Sequence, residues 1–400
     1  MTSTPIDNRY ATSERFTTNR GIEAKARRKL SPVVWNYLNC GTGDEVTLRA
    51  NTADFDKLQF RTPLFAGISN PDTRTTFLGH ELSFPALIAP FGGGEQLLDA
   101  EGHCATGRAA AAVGIRQIVP VAAAHSLETI AEATGVAQMF QMTFVGKVDS
   151  VLAMIERARQ AGYQQIVATY SPIRQWRERM MEDRFSIGTT MEDSNYAPGK
   201  SDPEMLREQL AFEHKRWGWD EAKEVIRNSP LPIFVKGIME PGEALQSLEA
   251  GAAGLYVSNY GGRSIDRMPS TISALPKVRA AVGKDVPIIF DSGIRRGSDI
   301  AAAIALGANV VALLVLSGAI TIEVFYVKDV LGAGDAVYGA IVAVWVGYGL
   351  AADGQAGARR VLELLKTEFW TTLGHLGCSS VSELQAATPN NPRVVVPPLF

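Results

Sequence analysis

A chain of 400 residues with a formal net charge of −3, 46% apolar and 20% charged residues has ample material for a core, and it carries no basic patch interleaved with aromatics. That composition argues against a nucleic-acid partner. The three cysteines, Cys40, Cys104 and Cys378, stand far apart with no CxxC or Cys/His spacing, so neither a disulfide framework nor a zinc site is expected. The stretch MTSTPIDNRYATSERFTTNRG is polar and lacks the apolar run of a signal peptide, which points to the cytoplasm.

A helical N-terminal segment carrying WNYLNCGTGDE (35–45) precedes eight short apolar runs: FPALIAP (84–90), RQIVPV (116–121), QMFQMT (138–143), QIVATY (165–170), PIFVKG (232–237), GLYVSN (254–259), PIIFDSG (287–293) and NVVALLVL (309–316). Amphipathic segments such as AEGHCATGRAAAAVG and VDSVLAMIERARQAG lie between them. Strand-length runs alternating with helical patterns predict βαβ units, and eight of them predict one closed (β/α)8 TIM barrel spanning residues 1–400.

Seven of the eight runs finish on a residue unusual for a core strand: Pro90, Pro120, Gln141, Thr169, Lys236, Asn259 and Asp291. In a barrel these ends line the C-terminal face, where active sites lie. Lys236 is read as functional, because an ammonium at the end of a buried strand is costly without a partner.

Two regions exceed a minimal barrel. Residues 171–219 form a long polar insert after the fourth strand, of the kind that serves as a lid. LGANVVALLVL (306–316) and LGAGDAVYGAIV (331–342) are partly self-similar, so either can supply the eighth strand, with about 317–341 as inserted material. The long apolar stretches 300–322 and 336–352 are read as a buried helix feeding a buried strand rather than as membrane spans.

DSGIRRGSD (291–299) follows the seventh strand and leads into a helix. Backbone amides at such a turn, with Arg295 and Arg296 beside them, suit a phosphate between the last two strands. FVKG, SNYGGR and DSGIRRG, in this order and at this spacing, resemble the FMN-dependent α-hydroxy-acid oxidase and dehydrogenase family, over about residues 29–384. That resemblance implies FMN as cofactor, a small carboxylate substrate oxidised by hydride transfer to flavin N5, and, as in many such barrels, a homotetramer. It leaves the electron acceptor open among oxygen, a quinone and a cytochrome.

Position by position, the resemblance places Lys236 beside the flavin N1–C2 carbonyl, and Gln141, Thr169 and Ser258 around the flavin ring. It assigns Asp291 to the ribityl chain, and Gly293 and Arg295 to the phosphate turn. Tyr37 and Arg263 match the residues that grip the substrate carboxylate, and Arg177 matches a second arginine once one residue is deleted near Ser171.

The pattern breaks at Tyr260, where the family carries a histidine base. A phenol, with a pKa of about 10, is already protonated at neutral pH and cannot do what an imidazole at about 6.5 does. Tyr260 is better suited to donate a hydrogen bond or a proton. The aspartate that supports the family's histidine aligns with Ser171 or a gap, and Thr143 and Ala122 replace bulkier residues, which enlarges the pocket. Neither Leu314-Val315 nor Gly339-Ala340 supplies the Gly-Arg that normally ends the eighth strand. APFGGG (89–94) replaces a Pro-Thr-Ala turn, and His125 and His214 are the candidate replacement bases. Three readings follow: hydroxy-acid oxidation, altered flavin chemistry with Tyr260 as donor, and a non-catalytic barrel that binds a small acid or a partner.

Overall fold

The computed structural model describes residues 16–92, 94–136, 139–170, 177–185, 194–195, 217–318, 345–386 and 393–395. Eight parallel strands close into a barrel: β1 (Ala86–Phe91), β2 (Arg116–Pro120), β3 (Met139–Thr143), β4 (Gln165–Thr169), β5 (Ile233–Ile238), β6 (Gly254–Val257), β7 (Ile288–Phe290) and β8 (Val310–Gly318). The first of the two self-similar segments therefore supplies the eighth strand. Closure runs through β8 and β1, with Val311 opposite Ala86 and Leu313 opposite Ile88. The second copy, the expected insertion around 317–341 and the Gly339-Ala340 pair lie outside the described residues, apart from the end of β8.

The strands read as continuous apolar runs because both faces are covered. Alternate residues, among them Leu87, Ile118, Met139, Phe234, Ile289 and Ala312, fill the barrel axis. A hairpin, Thr75–Phe77 with His80–Leu82, plugs the N-terminal end and packs Phe77 against Phe234, ring centroids 6.1 Å apart and planes tilted by 59°. The opposite end is thereby left for chemistry.

The apolar stretch from 300 divides as the sequence suggests, into a helix Gly297–Ala305 and then β8. Among the described residues no helix is long and apolar enough to cross a membrane.

Three N-terminal helices, α1 (Asn19–Lys29), α2 (Pro32–Asn39) and α3 (Val46–Ala53), bring Tyr37 to the barrel mouth. Ser31 caps α2 by accepting the Val34 amide, and Pro32 follows at the first helical position, where its missing N–H costs nothing. Docking is polar and specific. Asn51 and Asn259 exchange amide hydrogen bonds of 2.9 and 2.7 Å, and the Thr47 amide donates to Asp266 (2.8 Å).

Of the insert expected over 171–219, the described parts are held against the barrel. A short helix, Glu178–Glu182, packs on α2. Asn195 donates to the Val121 carbonyl (2.8 Å) and accepts from the Leu127 amide (2.9 Å). The next barrel helix begins at Trp219. Ser171 and His214 lie outside the described residues.

Candidate active site

At the C-terminal mouth the ends of β5, β6 and β7 converge on one buried ammonium. Lys236 Nζ donates to Asp291 Oδ2 at 2.8 Å and to Ser258 Oγ at 2.5 Å, and it lies 4.2 Å from the Tyr256 ring centroid. Burial pushes the lysine pKa down while the aspartate charge opposes that shift. Asp291 Oδ1 accepts from the Ser292 hydroxyl (2.8 Å), so both carboxylate oxygens are engaged. A buried ion pair of this kind adds little to stability over an apolar core. Its retention argues for chemistry.

Gln141 and Thr169 sit side by side on β3 and β4, the amide donating to the hydroxyl at 2.9 Å. Both side chains are buried, as are Thr143 and Ala122 near the ends of β3 and β2. Arg295 stands beyond β7. Burial pushes its guanidinium down to about 9, partly offset by Tyr348, Asp299 and Glu23.

The backbone of the Arg-Arg-Gly turn differs from the open anion cradle that the sequence suggests. Asp299 Oδ2 accepts from the Arg295 and Arg296 amides (2.7 and 2.8 Å), and Glu368 Oε2 accepts from the Gly297 amide (2.9 Å). Carboxylates of the chain itself occupy these three amides, because a helix N-terminus attracts the nearest anion. Gly293 is dictated by packing. With φ at 90°, an added Cβ would lie 1.9 Å from the Asn51 carbonyl oxygen.

The second cluster surrounds the C-terminal end of α2. Arg263, buried, donates from Nε to the Cys40 carbonyl (2.9 Å) and from Nη2 to the Leu38 carbonyl (2.6 Å). Burial pushes its pKa down to about 10; the charges of Cys40, Tyr37 and Glu45 oppose that shift, and the neighbouring charge of Arg177 adds to it. Arg177 lies over the Tyr37 ring, 5.6 Å from its centroid. Tyr37, Arg177 and Arg263 therefore come together from three distant parts of the chain, with two guanidinium groups close enough to repel.

Tyr260 follows β6 in a tight turn, itself at φ 58° and buried. Its amide donates to Ser258 Oγ (3.1 Å), and its hydroxyl lies 3.3 Å from both the Tyr170 and the Lys236 carbonyl oxygens. One hydroxyl proton serves one of these acceptors at a time. The ring reaches them because residue 237 is glycine, where a Cβ would fall 2.3 Å from the hydroxyl.

These motifs, in this order on this barrel, are matched in known proteins. The FMN-dependent dehydrogenase family matches residues 26–315 and 331–390. The chain belongs to that family. It is 32% identical to an L-lactate oxidase of Nostoc sp. over 381 residues (91% of this chain, 95% of that protein). It is 31% identical to a glycolate oxidase of Spinacia oleracea over 378 residues (92% and 94%). A crystal structure of mandelate oxidase superimposes with a TM-score of 0.78 at 27% identity, covering 95% of this chain and 98% of that one.

The protein is thus an FMN-dependent oxidoreductase. The donor set fits that cofactor: a buried ammonium beside hydroxyl and amide groups for a polar ring edge, a carboxylate for hydroxyls, and a half-buried guanidinium for a phosphate.

Of the two histidines considered as replacement bases, His125 is half-buried just past β2, and its Nδ1 is enclosed without a hydrogen-bond partner. His214 is outside the described residues. Sequence reasoning missed the Asn51–Asn259 pair, and it missed Glu45 and Arg179, which meet at the α2 terminus. Asn259 was legible as a strand-end residue; nothing in the local pattern marks the others.

Proposed function

We propose that this enzyme oxidises a small 2-hydroxy acid, with the carboxylate held by Arg263, Arg177 and Tyr37. The observation that carries this reading is the pair of neighbouring guanidinium groups beside a tyrosine. Like charges in a buried site call for an anion between them, and arginine suits a carboxylate bidentately. Lys236, Gln141, Thr169 and Ser258 would surround the ring of FMN, Asp291 its ribityl chain, and Gly293 and Arg295 its phosphate end. When bound, FMN supplies the hydride acceptor.

Lys236 holds positive charge where reduction adds negative charge. The buried Thr143 and Ala122 leave room for a side chain larger than that of the smallest hydroxy acids. Homotetramer assembly and a cytoplasmic location belong to the same proposal, although one relative from Arabidopsis thaliana is named a peroxisomal oxidase.

Tyr260 cannot accept the substrate hydroxyl proton as an imidazole would, and its hydroxyl is satisfied by main-chain carbonyls. A second reading therefore has support: flavin chemistry on a specialised substrate, with Tyr260 as donor. Anaerobic mixing with glycolate, lactate and mandelate should bleach the wild-type flavin slowly. Tyr260→His should raise that rate by on the order of 10²–10⁴, the usual contribution of a general base. Tyr260→Phe should leave it near wild type. Loss of bleaching in both variants would favour tyrosine as the donor, and a wild type inert to every acid would overturn the hydroxy-acid reading.

A further inference from the structure

We infer that Arg179 and Glu45 form a clasp that positions Tyr37 and Arg177 for the substrate carboxylate. This rests on the reading of the site given above and adds to it two residues that act through Tyr37 and Arg177.

The last turn of α2 presents unpaired carbonyls at the negative end of a helix dipole, where guanidinium groups are favoured. Arg263 takes the Leu38 and Cys40 carbonyls from the barrel side. Arg179 takes the Asn39 carbonyl between them, at 2.6 Å, from the side of the insert. The same guanidinium reaches Glu45 Oε1 through Nη2 and Nε, at 2.6 and 3.0 Å. Glu45 Oε1 also accepts the Gly41 amide at 2.9 Å, so one carboxylate oxygen ties the segment after α2 to the insert. The side chains are 30% and 12% exposed, which shields the pair from much of the screening that weakens surface ion pairs.

Two further facts fix the direction of the effect. Glu45 holds φ at 59°, a left-handed conformation strained for a non-glycine residue, and such strain persists only where surrounding contacts impose it. The chain from Arg177 to Phe185 also brackets Tyr37. It leaves with Arg177 over the ring at 5.6 Å and returns with Phe185 at 5.3 Å, and between them Asp183 accepts from Asn36 at 2.9 Å. Arg179 is the charged pin in the middle of that bracket. With the pin gone, α2 keeps its helix and Arg263 keeps its carbonyls, but Arg177 loses its fixed distance from Tyr37.

The test is Arg179→Gln and Glu45→Gln in the FMN-loaded protein. A carboxylate contact made equally in ground and transition states appears in KM and not in kcat. Each variant should raise KM for the best 2-hydroxy acid about tenfold, the weakening expected when a hydrogen bond to a charged group is lost, with kcat within about threefold of wild type. Calorimetric titration with 2-hydroxy-2-methylpropanoate, which has no α-hydrogen to lose, should show the same weakening without turnover. The double variant should be no worse than either single one, because the two residues act as a unit. Arg179→Lys, which keeps the charge and loses the fork, should fall between, and it carries the test where Arg179→Gln does not fold. Unchanged KM and unchanged affinity in a folded variant would overturn the clasp alone. A wild type that neither binds the probe nor oxidises any 2-hydroxy acid would overturn the site reading and the clasp with it.

Discussion

Glu95 is the group whose replacement should show most directly what burial does in this barrel. It follows the Gly-rich turn after β1, and its carboxylate is wholly enclosed. Thr106 donates to Oε2 at 2.8 Å, and His103 Nδ1 lies 3.8 Å from the same oxygen. His103 Nε2 is 2.7 Å from the Phe91 carbonyl, which only accepts, so Nε2 carries the hydrogen and Nδ1 is bare. Burial pushes Glu95 up to about 8 and His103 down to about 4. The folded pair therefore holds one proton at pH 7, on Glu95, that the unfolded chain releases.

A raised acid pKa gives stability that is full below about 4.5 and lost as pH rises to about 8; a lowered histidine pKa gives stability that is full above about 6.5 and lost as pH falls. The two slopes oppose between about 4.5 and 6.5, which leaves Glu95 alone over the next 1.5 units. At about 1.36 kcal/mol per unit that is a loss of about 2 kcal/mol. Glu95→Gln removes the ionisation while keeping an acceptor for Thr106 and adding a donor toward His103. Urea unfolding at pH 6.5 and 8.0, with FMN in excess, should show the wild type losing about 2 kcal/mol relative to the variant. Parallel losses in the two proteins would refute the reasoning.

Lys236→Met leaves Asp291 buried without its counter-charge, so stability should fall by about 3–5 kcal/mol. The purified protein should also lose flavin absorbance, and a yellow, equally stable variant would count against the assigned role. Gly293→Ala drives a methyl group to 1.9 Å from the Asn51 carbonyl oxygen at φ 90° and should abolish soluble expression, whereas Gly242→Ala, with nothing within 4 Å of the added carbon, should be silent in the same assay.

The barrel was legible because the strands read as apolar runs and seven of the eight runs finish on a polar or conformationally special residue. β8 was ambiguous because two segments carry the same Leu-Gly-Ala start, and strand pairing with β1, a long-range choice, decides between them. Lys236 and Asp291 were legible because charge at the end of a core strand has few structural uses. The phosphate turn was read only by half. Asp299 lies in the same motif, but Glu368 approaches from another helix about 70 positions on, and only the fold shows that the turn's amides are taken. Glu45 and Arg179 are ordinary charged residues 134 positions apart, so no periodicity could pair them. Glu95 was hidden for a different reason: nothing in the glycine run before it marks a buried carboxylate.

Tyr260 joins these two levels. The motif identified its place, but its role depends on where the hydroxyl ends, and that depends on Gly237. The glycine belongs to the Val-Lys-Gly run at the end of β5 and stands at φ 110°. It leaves a clearing in which the phenol, longer than an imidazole, extends to the Lys236 and Tyr170 carbonyls. The hydroxyl thus links the ends of β4 and β5, while the Lys236 ammonium lies 5.2 Å from the centroid of the same ring. The residue in the base position therefore has its hydroxyl turned to main-chain carbonyls. On the proposed reading, the carboxylate clamp and the electrostatics of Lys236 are separable from proton abstraction, and the effect of placing histidine at 260 measures that separation.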